Sequence, residues 1–202
     1  MTPVPSAAPM LSLRTLFAAI ADPAAIEFGP PSAQPGELRR LRQRDERAWQ
    51  DLFEREWTDI YRYAHARTAS TADAEDLTAR VFEEAWKHID SVEDRGLPAR
   101  AWLFGIARHV VASHRRKLLR RPPIVAREAF DGVDGGTADG TATLDLARAL
   151  QGLKPAFAEV VTLRFLHGLS LQETALALQT TVDAVKSRQA RALDELRKTL
   201  LG

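Results

Sequence analysis

Residues 122–143 restrict the fold of this chain more than any other stretch. They begin Pro122-Pro123 and end DGVDGGTADGTAT. Gly, Pro and Asp interrupt both helices and strands, and few large apolar side chains are present to pack, so the stretch reads as a flexible linker. It leaves the blocks on either side, 38–121 and 144–202, poorly preorganised with respect to each other. Both blocks carry apolar residues at helical spacing, and neither shows sustained period-two alternation. The expected fold class is therefore all-α: two small helical domains and a linker, behind a Pro-, Ala- and Ser-rich N-terminal extension over 1–37.

In the first block, Leu41–Ala66 places Ala48, Trp49, Leu52, Phe53, Ile60, Tyr61 and Ala64 on one helical stripe. A second helix is expected from Asp73, with acids near its positive N-terminal end and Leu77, Val81, Phe82, Ala85, Trp86 and Ile89 as its apolar face. After the turn SVEDRGLP, a third runs from Ala99 to about Arg120 and buries Trp102, Leu103, Ile106, Ala107, Val110 and Val111. Phe104 lies off that stripe, so the pattern predicts an exposed ring.

In the second block, Leu144–Leu153 and Pro155–His167 read as helices, the latter closed by Gly168. Ser170 and Glu173 form an S-x-x-E capping box ahead of Leu171–Leu178. Thr181 then caps a final helix to about Leu200. Two helices joined by a tight turn, the second rich in Lys and Arg, read as helix-turn-helix. Lys186, Ser187, Arg188 and Arg191 occupy the half of that helix that enters a major groove, and Val182, Val185, Ala192, Leu193 and Leu196 its core side.

Net charge is only +1, so the distribution of charge must decide whether the chain binds nucleic acid. Between Arg100 and Arg121 lie seven Arg or Lys residues and no Asp or Glu. A solvated helix normally mixes signs, and a one-signed face repels itself unless a polyanion relieves it. Aromatic rings beside such charge can stack on the bases of an opened strand. Catalysis finds no support: H-E-x-x-H, G-x-S-x-G and phosphate-loop motifs are absent, and the five histidines lack ligand spacing. Glu75, Asp76, Glu83 and Glu84 suit a solvated or protein-binding face better than a paired-carboxylate site. The absence of cysteine excludes disulfides and thiolate metal sites and fits a reducing compartment. No apolar run reaches the roughly 20 residues of a membrane span, nor is there a signal-peptide pattern, so a cytoplasmic location is expected.

Three stretches resemble a known family. DAEDLTARVFEEAWKHID (73–90) is similar to the part of sigma region two that docks on the polymerase clamp helices. ARAWLFGIARHVVASHRRKLLRRPP (99–123) resembles the part that melts and reads the minus-ten element. LKPAFAEVVTLRFLHGLSLQETALALQTTVDAVKSRQARALDELR (153–197) resembles region four, which reads the minus-thirty-five element. Regions one and three are lacking, the pattern of the extracytoplasmic-function (ECF) sigma factors. The resemblance implies core docking by Asp73, Glu75, Asp76, Arg80 and Glu83. It implies minus-ten contacts by Trp102, Arg108, His109, Arg115 and Arg116, and minus-thirty-five contacts by Lys186, Ser187, Arg188 and Arg191. The implied partners are core RNA polymerase through its clamp helices and flap, promoter DNA and an anti-sigma factor. No cofactor, small-molecule substrate or membrane insertion is implied. The chain departs from the family at His109, often Asn, at Gln179, often Gly, and at Thr180, usually Ile.

Two other classes compete. A free-standing helix-turn-helix regulator would need a sensor pocket in the first block, and a helical nuclease would need converging metal-binding carboxylates. The N-terminal extension has its own ambiguity. Leu13, Leu16, Phe17 and Ile20 share a helical face, with Ser12 as a possible cap and Pro23 as a stop. So short a helix forms only by burying that face. Either it docks on region two or region four and restrains binding, or the segment is a disordered tail or follows a misplaced start codon.

Overall fold

The structure, a computed structural model, describes residues 16, 19, 20, 36–68, 70–92, 96, 98–119 and 148–201. The linker 122–143 lies outside them. Every regular element among the described residues is helical: α1 (Glu37–Arg42), α2 (Glu46–His65), α3 (Thr71–His88) with a 3-10 turn at Ile89–Ser91, α4 (Ala99–Leu119), α5 (Pro155–Val161) continued by a π segment at Thr162–Leu166, α6 (Leu171–Ala177) and α7 (Val182–Leu201). Residues 148–152, 16, 19 and 20 are helical as well.

Two boundaries differ from the sequence expectation, each because a side chain caps the backbone. The helix expected over Leu41–Ala66 breaks in two at Arg44, whose φ is +58°. Asp45 restarts it by accepting the Ala48 N–H at 2.8 Å. The left-handed Arg44 is held by its guanidinium, which donates to the Trp86 carbonyl, pairs with Asp90 at 2.7 Å and lies over the Trp86 ring. The next helix begins before Asp73, because Ser70 Oγ accepts the Asp73 N–H at 3.0 Å. Glu37 caps α4 from a distance, accepting the Ala99 N–H at 3.2 Å and pairing with Arg55 at 2.6 Å.

The two helical blocks are clasped together rather than independent. Leu163, Leu169 and Ala177 of the second block share a buried cluster with Ile60, Tyr63 and Phe104 of the first. Phe104 is fully buried, against the expectation of an exposed ring, because the face it occupies is covered by the other block. The helices come close at Gly105, where a Cβ would sit in ordinary contact, 3.5 Å from the Ala177 carbonyl oxygen. Polar groups lock the seam. Arg100 Nη2 donates to Asp59 and to the His167 carbonyl, each at 2.6 Å, and Tyr63 and Arg67 both bond Glu159.

Two outcomes follow for the clasp. Gly105→Ala should be accommodated, since its methyl makes only ordinary contact, whereas Gly105→Leu should drive α4 and α6 apart at about 1–3 kcal/mol. Small-angle scattering should then show expansion for Leu and none for Ala. The second concerns His167, buried between Tyr63 and Phe104. Burial, and then the nearby Arg67, Arg100 and Arg62, hold its pKa well below the ordinary value. The folded chain thus refuses a proton that the unfolded chain accepts near about pH 6.5. Stability should fall as pH drops below that point, by at most about 1.4 kcal/mol per pH unit from this group. Denaturant titrations from about pH 7.5 down to 5.5 should show the loss, and His167→Gln should remove this share of it.

Candidate nucleic-acid interface

The helix-turn-helix is assembled by local capping. Ser170 and Glu173 form the reciprocal box: Glu173 N–H donates to Ser170 Oγ at 3.2 Å, and Ser170 N–H to Glu173 Oε2 at 2.7 Å. The turn passes through Gln179 at φ +53°, where Gly would be unstrained, at a cost of order 1 kcal/mol. Thr181 Oγ1 then accepts the Ala184 N–H at 3.2 Å and starts α7. Val185, Ala192, Leu193 and Leu196 are buried, while Lys186, Ser187 and Arg191 are exposed and Arg188 half-buried. Sequence reading missed the buried polar centre of this unit. Arg164 donates to the Leu169 carbonyl at 2.6 Å and to Gln189 Oε1 at 2.9 Å, tying the bend after the π segment to α7. Burial lowers its pKa to about 10, with Glu173 opposing the shift. Its only sequence signal is a lone Arg in the apolar run VVTLRFL.

On α4 the buried side holds Ala101, Leu103, Phe104, Ala107 and Val111. His109, Arg115, Arg116 and Lys117 are exposed, and Trp102 and Arg108 half-buried. His109 Nδ1 donates to the Gly105 carbonyl at 2.8 Å, which fixes the orientation of the ring. Arg100 does not belong to the free basic face. It is bound to Glu56 at 3.1 Å and Asp59 at 2.6 Å. Trp102 and His109 line a cleft of about 1100 Å³ whose far wall is Gln172, Leu176 and Gln179 of the second block.

On α3, Glu75, Asp76, Arg80 and Glu83 are exposed and Asp73 is half-buried. Their spacing puts Asp73, Asp76, Arg80 and Glu83 on one stripe and Glu75 to the side, on the flank of Trp86. An aromatic surface missed by the sequence reading adjoins it. Phe53 and Trp86 were assigned to buried stripes but are 43% and 45% exposed. Phe53 meets Trp57 and Phe82 at ring separations of 4.7 and 4.9 Å, and Trp86 meets Trp49 at 4.9 Å. They lie at the outer edge of the α2–α3 seam, where a stripe wide enough to seal the core overruns it. Among the described residues, no His, Asp and Glu groups gather as a metal site, and no helix is long and apolar enough to cross a membrane.

Comparison with known proteins identifies the family. Residues 52–121 match the Sigma-70 region 2 family and residues 149–198 match Sigma-70 region 4. The first match covers α3 and α4, so a sensor domain in the first block is ruled out. The chain is 34% identical over 155 residues to the ECF RNA polymerase sigma factor BldN of Streptomyces coelicolor, covering 74% of this chain and 59% of BldN. With the ECF sigma factor SigL of Mycobacterium tuberculosis it shares 31% over 153 residues, covering 74% of this chain and 86% of SigL. Among solved structures it resembles CnrH bound to the cytosolic domain of CnrY, with a TM-score of 0.59, 27% identity, 81% of this chain and 94% of that one covered. RpoE of Bartonella quintana, bound to the anti-sigma factor NepR, gives 0.56 and 26%, covering 75% and 95%. The chain belongs to the sigma-70 family of RNA polymerase sigma factors, in its extracytoplasmic-function group.

Proposed function

We propose that this protein is an alternative sigma subunit that binds core RNA polymerase and directs it to one class of promoter, with no catalysis of its own. The observation that carries the reading is the occurrence, on one chain, of a basic α4 free of acids within the Sigma-70 region 2 match and a capped, basic α7 within the region 4 match. In this reading Lys186, Ser187, Arg188 and Arg191 read the minus-thirty-five element in the major groove. Arg108, Arg115 and Arg116 hold the minus-ten backbone, while Trp102 and His109 meet the opened strand. Asp73, Glu75, Asp76, Arg80 and Glu83 dock on the clamp helices, with Phe53 and Trp86 as apolar anchors beside them. Region four meets the flap. The solved complexes of CnrH and RpoE support an anti-sigma factor as a further partner, and the site of action is the cytoplasm, with the polymerase.

In vitro transcription with core polymerase on the gene's own upstream region tests the whole reading. Initiation that requires the protein supports it, and tight promoter binding by the protein alone, with no gain from core, overturns it. Asp76→Arg and Trp86→Ala should each weaken core binding at least tenfold while leaving the helical circular dichroism signal intact, since both side chains are exposed.

The two DNA surfaces separate in a randomised promoter library. Arg188→Ala should relax discrimination in the minus-thirty-five element, by about 1–3 kcal/mol at one base pair if Arg188 grips a guanine. Removing both Arg115 and Arg116 should weaken binding to all sequences alike and reduce its salt dependence. His109→Asn should shift base preference at the minus-ten element more than overall affinity. A change confined to the minus-ten element on Arg188→Ala would show that the roles are misassigned.

A further inference from the structure

His167 is a buried titratable group that neither DNA nor polymerase contact explains. It caps the π segment of region four, yet its ring lies between Tyr63 and Phe104 of region two, with centroids 5.8 and 4.9 Å away. Its backbone is pinned: the N–H donates to the Thr162 carbonyl at 3.1 Å, and the carbonyl accepts from Arg100 Nη2. With the backbone held and the ring covered by the other region, separating the two regions is what returns the ring to water. The seam is also built for a neutral ring. Nδ1 is buried without a hydrogen-bond partner, so a proton there would have no acceptor. Aromatic faces attract cations, but a guanidinium already lies over each ring, Arg67 at 3.8 Å from Tyr63 and Arg100 at 5.6 Å from Phe104. The acids facing the site are committed too. From α2, Glu56 is bound to Arg55 and Arg100, and Asp59 to Arg62 and Arg100. From α5, Glu159 accepts from Tyr63 and Arg67. Arg108 of α4 adds positive charge near Tyr63. An imidazolium here would be desolvated beside Arg62, Arg67 and Arg100, with none of these acids free.

We propose that His167 is a proton-operated latch: one proton taken up by its imidazole separates region four from region two without unfolding either. The sign follows from where the proton is welcome. In the clasped form burial, and then the three arginines, keep the ring neutral well below its ordinary range, whereas in the separated form water solvates the imidazolium. A proton that binds only the open form shifts the equilibrium toward it. Opening is therefore insensitive to pH above about 6.5 and grows below it, by up to about tenfold per unit. Separation strands no buried charge. Arg100 gives up the His167 carbonyl but keeps Glu56 and Asp59 inside region two, and Arg67 and Glu159 return to water. It also uncovers the cleft in which Trp102 and His109 face Gln172 and Gln179. Tighter binding of core polymerase by the acidified protein rests on the sigma reading above; the latch itself does not.

The chain has no cysteine, so single thiols on the full-length protein can report opening. Ala177→Cys places one at the seam, and Ala85→Cys and Ala192→Cys place one in the interior of region two and of region four. Ala72→Cys is exposed and gives the reference rate. Each variant is labelled with a pyridyl disulfide between about pH 7.5 and about pH 5.5. Relative to the reference, the seam thiol should react about tenfold faster at the acid end, and at every pH faster than either interior thiol. Adding His167→Gln should abolish the pH dependence. A seam rate that does not change with pH, or that equals the interior rates, would overturn the latch, as would an acid rise that survives His167→Gln. Where His167→Gln itself fails to close, Gly105→Leu decides. By reciprocity, prying the regions apart must return the His167 ring to its ordinary titration near about pH 6.5. Ring resonances of His167 that titrate alike in Gly105→Leu and in the parent would overturn the idea. Acid opening of a protein that binds core polymerase at no pH would uphold the latch and count against the sigma reading instead.

Discussion

Arg100 extends from α4 between Glu56 and Asp59 of α2 and reaches on to the carbonyl of His167 in region four. Glu56 is almost wholly buried, and desolvation pushes its pKa up even with Arg100 and Arg55 pulling it down. Charges withdrawn from water in this way gain little net stability as a set, but losing one partner strands the others at several kcal/mol. The set therefore acts as a positional constraint. It fixes where α4 leaves region two and, through one more bond, where region four sits upon it. The remaining contacts of the seam depend on that placement: Phe104 against His167, Gly105 beneath Ala177, and Glu159 accepting from both Tyr63 and Arg67.

The same placement creates the tension in the molecule. Bringing α4 and α6 together buries apolar surface, the dominant favourable term in any such contact. It also sets Trp102 and His109 across a cleft from Gln172 and Gln179 of the helix-turn-helix. On the proposed sigma reading, a chain that serves two DNA sites holds Trp102 and His109 opposite its own helix-turn-helix. On the same reading, a partner that binds the two regions apart shifts the population away from this arrangement.

Much of this was legible in the residue order because it depends on contacts three or four positions apart. The Ser170–Glu173 box, the Thr181 cap and the Gly168 stop are local, and each was readable before any packing was known. The family motifs were legible for a related reason: each lies along a single helix or a run of adjacent helices, in the stretches that match Sigma-70 regions 2 and 4. The break at Arg44 was not, because the groups that hold that residue in a left-handed conformation, Trp86 and Asp90, are more than forty positions away.

Sequence by itself thus determined the elements, their order and the surfaces that carry charge. Only tertiary structure decided what covers what. Phe104 was expected outside and is buried, because periodicity within α4 records one neighbour and the helix has two. Phe53 and Trp86 were expected inside and are exposed, because an aromatic stripe can be wider than the seam it closes. Arg100 looked like one more DNA-facing cation until α2 supplied its acids, and Leu16 and Ile20 gained a partner only when region four presented its apolar face. Burial and pairing are properties of two surfaces, and a linear sequence shows one surface at a time.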